Sequence, residues 1–154
     1  MKARLDVMKN APKAVQAVLK VEDYVKGSGL EPSLYELIKI RASQINGCAF
    51  CLHMHTRDAR AAGETEERID LLPAWRESPL YSPRERAALA WTEAVTRIAD
   101  TRAPDTGYEE LARHFSDEEQ VNLTLMIGAI NVWNRLSIGF RTVHPVAAPV
   151  RAAA

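Results

Sequence analysis

The stretch Pro32-Ser33-Leu34-Tyr35-Glu36-Leu37-Ile38-Lys39-Ile40-Arg41-Ala42-Ser43-Gln44-Ile45-Asn46-Gly47-Cys48-Ala49-Phe50-Cys51-Leu52-His53-Met54-His55-Thr56-Arg57-Asp58-Ala59-Arg60-Ala61-Ala62-Gly63 decides the fold. It has little alternation of period two, so a strand has no pattern to follow, and its punctuation is that of two helices in succession. The first runs from about Pro32 to Gln44 and is ended by Asn46-Gly47, a pair that tolerates the left-handed conformation in which helices commonly stop. The second runs from about Cys48 to Ala62, with Gly63 as its stop.

Outward from this centre the same grammar repeats. Val15, Val18, Leu19 and Val25 fall at mostly helical spacing over Pro12 to Lys26, before Gly27-Ser28-Gly29. Thr65 to Leu72 reads as a short amphipathic helix, followed by a linker with Pro73, Pro79 and Pro83. Ser82-Pro83-Arg84-Glu85 joins a capping serine, a first-turn proline and a glutamate three residues past the cap, which marks the start of a long helix to about Asp100. Ala88, Trp91, Val95 and Ile98 form its apolar stripe. Asp105 to Phe115 is another short helix. Ser116-Asp117-Glu118-Glu119 repeats the capping pattern and opens a helix to about Phe140, whose segment from Val121 to Ile138 is apolar on most faces and is expected to be buried. The expectation is an all-α protomer of about six to seven helices with no significant sheet, a single domain over residues 1–144, and a disordered tail over 145–154, where the composition collapses to Ala, Val and Pro.

Composition narrows the function. Twenty basic residues offset twenty acidic ones in 154, leaving no net charge to attract nucleic acid or an anionic membrane. No recognition helix dense in Arg and Lys is present. The N-terminal residues are interrupted by Lys2, Arg4, Asp6, Lys9 and Lys13, unlike a secretory signal, and no stretch approaches the roughly 20 apolar residues of a membrane span. The expected location is cytoplasmic, where thiols are kept reduced and a close cysteine pair points to redox or metal chemistry rather than to a structural crosslink.

The chain has two cysteines, Cys48 and Cys51, with His55 one turn past the second. At about 100° per residue these three side chains fall within about 60° of one another on one helical face, while His53 points to the far side and reads as a solvated or interface residue. A thiol is a weak nucleophile until ionised. The positive end of the helix dipole, the neighbouring cysteine and a histidine able to take the proton all favour the thiolate. His55 is four residues from Cys51 and seven from Cys48, which assigns Cys51 as the attacking sulfur and Cys48 as the resolving one. The product is a sulfenic acid on Cys51 that condenses with Cys48 to a disulfide, which an external dithiol then reduces. This chemistry needs no metal and no organic cofactor. A zinc site would need a fourth ligand beyond Cys48, Cys51 and His55, from Glu36 or a second chain. Glu36 itself has two readings on pattern alone: in Ser33-Leu34-Tyr35-Glu36 it can close a capping box, or it can face the histidine.

The residues Glu36, Ile40 to Cys51, His55 and Thr56 to Gly63 resemble the core of the alkylhydroperoxidase D-like branch of the carboxymuconolactone decarboxylase superfamily. The signature is a glutamate twelve residues before a C-x-x-C whose second cysteine is followed four residues later by histidine. The close resemblance covers about Tyr35 to Leu72, and Asn131-Val132-Trp133-Asn134-Arg135 agrees in pattern. It implies an all-helical fold that assembles as a homo-oligomer, often a trimer or hexamer. It also implies a proton relay in which Glu36 holds and polarises His55 and His55 takes the proton of Cys51. The implied activity is a thiol peroxidase or disulfide reductase acting on hydrogen peroxide or organic hydroperoxides, with a dithiol reductant such as a lipoyl or thioredoxin-like protein. The sequence departs from the pattern at Phe50, where peroxidases of the family carry a further histidine. Two other functions fit parts of the sequence: a non-enzymatic redox sensor using the same disulfide, and a lactone decarboxylase of the same superfamily, whose chemistry does not need the cysteine pair. Among the remaining residues, Tyr35, Trp91 and Trp133 read as core or subunit-contact aromatics. Asn131, Asn134 and Arg135, polar groups in an apolar helix, need partners if buried and read either as lining the site or, the favoured reading, as an oligomer contact.

Overall fold

A computed structural model describes residues 2–146 and is all-helical, with no strand among the described residues. Nine α-helices occur there: α1 (Val7–Asn10), α2 (Pro12–Lys26), α3 (Pro32–Asn46), α4 (Ala49–Ala61), α5 (Glu66–Leu71), α6 (Pro83–Thr96), α7 (Ile98–Thr101), α8 (Asp105–His114) and α9 (Asp117–Phe140), with a 3-10 turn at Leu72–Ala74. That exceeds the six to seven expected, because two single-turn helices add to the count. The Asp6 side chain accepts from the backbone N–H of Lys9 and closes α1. The long helix expected to reach Asp100 instead ends at Thr96, and α7 follows the break at Arg97. There the Thr101 hydroxyl turns back to donate to the Ala94 carbonyl at 2.6 Å, and Arg102 and Ala103 take positive φ. Of the expected tail over 145–154, residues 147–154 lie outside the described residues.

The caps lie where the sequence places them. Ser82 and Ser116 each accept from the backbone N–H three residues on, and Glu85 and Glu119 return the bond, so both capping boxes are complete. Gly47, at φ 71°, terminates α3 in the left-handed conformation at the expected stop, and the helix runs to Asn46, two residues past Gln44.

Helix α3 is the axis of the molecule. Leu34 and Ile38 face a core built with Ala88, Leu111, Phe115, Leu123, Met126 and Ile127 from α6, α8 and α9. Leu37 and Ile40 face a second core with Ala59, Ile69, Leu72, Trp75, Tyr81 and Leu89. With both flanks covered, α3 buries even Lys39 and Ser43. Helix α9 is less buried than expected: Leu123, Met126, Ile127 and Ile130 are inside, but Val121, Leu125, Val132 and Ile138 are exposed. Val121, Leu125 and Val132 line an apolar cleft of about 820 Å³ between α2, α6, α8 and α9, together with Val18, Val21, Trp91 and Tyr108.

Candidate active site

The turn from α3 into α4 builds the site. Gly47 reverses the chain so that Cys48 becomes the N-cap of α4, one position outside the helix expected to include it, and its Sγ accepts from the Cys51 backbone N–H at 3.4 Å. Cys48 and Cys51 are joined as a disulfide. Each is 1% exposed, and they pack with Ala42 of α3 and Ile130 of α9, beneath the partly buried rings of Phe50 and Trp133. His55, one turn further along α4, is also buried.

Glu36 faces His55. Its Oε2 lies 3.0 Å from His55 Nδ1, linking α3 to α4. The capping alternative for Glu36 is excluded by the start of α3: Glu31 is the N-cap and Pro32 the first helical residue, which puts Glu36 beyond the capping turn. The bond fixes the ring and directs Nε2 away from the carboxylate. Glu36 also borders two clefts of about 330 and 400 Å³, so its carboxylate is the wetter end of the pair. Its side chain is 17% exposed against 7% for His55.

Behind this pair lies a charged cluster that sequence reasoning missed. Glu22 of α2 accepts through one oxygen from Tyr35 Oη and Lys39 Nζ, and through the other from Trp133 Nε1 at 3.1 Å. Lys39 Nζ also bonds Tyr35 Oη at 2.7 Å and sits 3.9 Å from the centroid of that ring. Burial works to raise the Glu22 carboxyl, but the Lys39 charge and the bonds from Lys39 and Tyr35 outweigh it and hold it below its ordinary value of 4.5. The Tyr35 hydroxyl is pushed well above its usual range by burial and by the bond to Glu22. The available signal was Lys39 itself, a cation inside Leu37-Ile38-Lys39-Ile40 that requires a carboxylate if the helix is buried.

The polar residues of α9 find partners within the chain. Asn46 Nδ2 donates to Asn131 Oδ1 at 2.9 Å and to Asn134 Oδ1 at 2.8 Å. Asn134 donates to Ser43 Oγ at 3.0 Å, and Arg135 donates to the Asn131 carbonyl and Oδ1. The network ties α9 to the end of α3 immediately before the cysteine turn. His53, on the far face, stacks on His144 with centroids 4.8 Å apart. Among the described residues no three His, Cys, Asp or Glu side chains converge to hold a metal ion, and no helix there is long and apolar enough to cross a membrane.

Both the sequence and the fold have counterparts among known proteins. Residues 11–94 match the carboxymuconolactone decarboxylase family. The uncharacterized protein YdfG of Bacillus subtilis is 47% identical over 138 residues, covering 90% of this chain and 94% of that protein. The crystal structure of ATU0492 from Agrobacterium tumefaciens, a protein of unknown function with the provisional name antioxidant defence protein AhpD, superposes with a TM-score of 0.92 at 53% identity, covering 95% of this chain and all of that one. The alkyl hydroperoxide reductase AhpD of Bradyrhizobium diazoefficiens is 40% identical over 47 residues, which are 30% of this chain and 26% of that protein.

Proposed function

The chain belongs to the carboxymuconolactone decarboxylase family, in its alkylhydroperoxidase D-like branch, and from that premise we propose that it is a thiol peroxidase reducing hydrogen peroxide or an organic hydroperoxide. The observation that carries the reading is the Glu36 carboxylate bonded to His55 one turn from the Cys48–Cys51 disulfide. In the dithiol form, His55 takes the Cys51 proton and Glu36 stabilises the resulting imidazolium. The Cys51 thiolate attacks the nearer peroxide oxygen, the O–O bond breaks, and the leaving alkoxide or hydroxide takes the proton back from His55. Sulfur is oxidised to the sulfenic acid and the peroxide is reduced to alcohol or water. Cys48 then attacks the Cys51 sulfur, water leaves, and the disulfide forms. A dithiol reductant of lipoyl or thioredoxin-like type returns both thiols by exchange and is itself oxidised to a disulfide.

The placement of Cys48 at the N-cap of α4 supports its resolving role, since its Sγ sits against the first turn of that helix and accepts from the Cys51 backbone N–H. Homo-oligomeric assembly belongs to the same reading, supported by the family and by the exposed apolar row of α9. The test is peroxide consumption coupled to dihydrolipoamide. Wild type turns over, whereas Cys51→Ser consumes no peroxide. Equal turnover by Cys51→Ser would refute the mechanism.

A further inference from the structure

The sulfurs of the pair are almost completely covered, so whatever reacts with Cys51 has to pass the side chains that cover it. Among the described residues, the partly buried groups packed on the cysteine cluster are Phe50 and Trp133. Phe50 is held by its position in the first turn of α4. Trp133 is held differently: its indole N–H donates to Glu22 Oε1 at 3.1 Å, across from α9 to α2.

That acceptor is itself tied down by two further bonds. Lys39 is buried, and an ammonium removed from water without a carboxylate beside it is strongly disfavoured, so Glu22 has to remain where Lys39 and Tyr35 bind its other oxygen. The Tyr35 ring beneath Lys39 Nζ restricts the ammonium in turn. One carboxylate therefore ties three helices together, and its other oxygen accepts from the indole packed on the cysteine cluster. An aromatic ring held by packing alone exchanges rotamers readily. One that must also break a bond to a carboxylate does so far less often.

We propose that Trp133 is the wall that determines which reactants reach Cys51, with Glu22, Tyr35 and Lys39 as positioning residues that hold it, so that small oxidants are admitted in preference to bulky ones. The identity of the reactant as a peroxide rests on the function proposed above; the wall does not.

Two N-substituted maleimides that share one reactive group but differ in bulk, N-methylmaleimide and N-benzylmaleimide, test it on Cys51 in the reduced Cys48→Ser protein. Trp133→Phe keeps an aromatic ring but removes the donor. It is expected to raise the N-benzyl to N-methyl rate ratio about tenfold, the factor carried by a bond to a charged group, while the pH midpoint of alkylation stays in place. A ratio within twofold of the parent's, or a change explained wholly by a shifted midpoint, would overturn the proposal. A second measurement needs no variant at Trp133: its indole N–H in reduced wild-type protein is expected to be protected from hydrogen exchange, and exchange at the rate of free indole would also overturn it. If wild type consumes neither hydrogen peroxide nor cumene hydroperoxide while the maleimide ratio still shifts, the peroxidase reading fails and the wall stands.

Discussion

Glu36→Gln isolates the electrostatic part of the site. Glutamine fills the same space and its amide oxygen can still accept from His55 Nδ1, so the 3.0 Å contact keeps its geometry and loses only its charge. Hydrogen bonds to a charged group contribute about 1.5–3 kcal/mol and neutral ones about 1 kcal/mol. Solvent screens this bond little, because the His55 and Glu36 side chains are 7% and 17% exposed. The imidazolium therefore loses roughly 1.4 kcal/mol of stabilisation, a factor of about ten. In the proposed relay the Cys51 thiolate is paired with that imidazolium, so the midpoint of its alkylation moves up and its rate below the midpoint falls about tenfold. The assay is the pH profile of iodoacetamide alkylation of Cys51 in the Cys48→Ser background. A midpoint unmoved by Glu36→Gln would refute the relay, whatever the effect on turnover.

Asn134→Ala removes a fully buried side chain bonded to Asn46 and Ser43, which leaves the Ser43 hydroxyl without its donor and the Asn46 amide with one bond, to Asn131. Thermal unfolding is expected to show a loss of about 3 kcal/mol, or roughly 6–12 °C in Tm. Acid acts through Glu22. A carboxyl held below 4.5 in the folded state adds stability that is complete above 4.5 and is lost as pH falls through the lower folded value. Glu22→Gln should thus cost about 3–5 kcal/mol near neutral pH, where it strands Lys39, and the gap to wild type should close on acidification below 4.5. Denaturant unfolding from pH 7 down to 3 would show this convergence, and a constant gap would contradict it.

The features legible in the sequence were those whose physics is local. Ser82 and Ser116 announce helix starts because a hydroxyl and a glutamate three residues on satisfy the free N–H groups, whatever packs nearby. Gly47 stops α3 because it accepts the left-handed conformation. Cys51 and His55 share a face through helical spacing alone. The partner of His55 was half legible: pattern alone left Glu36 between a cap and a relay, and the decisive fact is that Pro32 starts the helix early. The break at Arg97 was hidden because Trp91, Val95 and Ile98 continue the apolar stripe across it. Glu22 was illegible as a site residue, since Lys39 lies 17 and Trp133 lies 111 positions away and no local pattern records either contact. Asn131 and Asn134 were recognised as needing partners, but those partners, Asn46 and Ser43 of α3 and Thr96 of α6, become neighbours only once α9 crosses the ends of both helices.

The central claim is that Cys51 is the sulfur that meets the oxidant and Cys48 the one that resolves it. Reduced Cys48→Ser and Cys51→Ser proteins, each given one equivalent of hydrogen peroxide with dimedone present and then analysed by peptide mass, test it directly. The account predicts a dimedone adduct on Cys51 in Cys48→Ser and an unmodified Cys48 in Cys51→Ser. An adduct on Cys48 alone, or none in either protein, would contradict it.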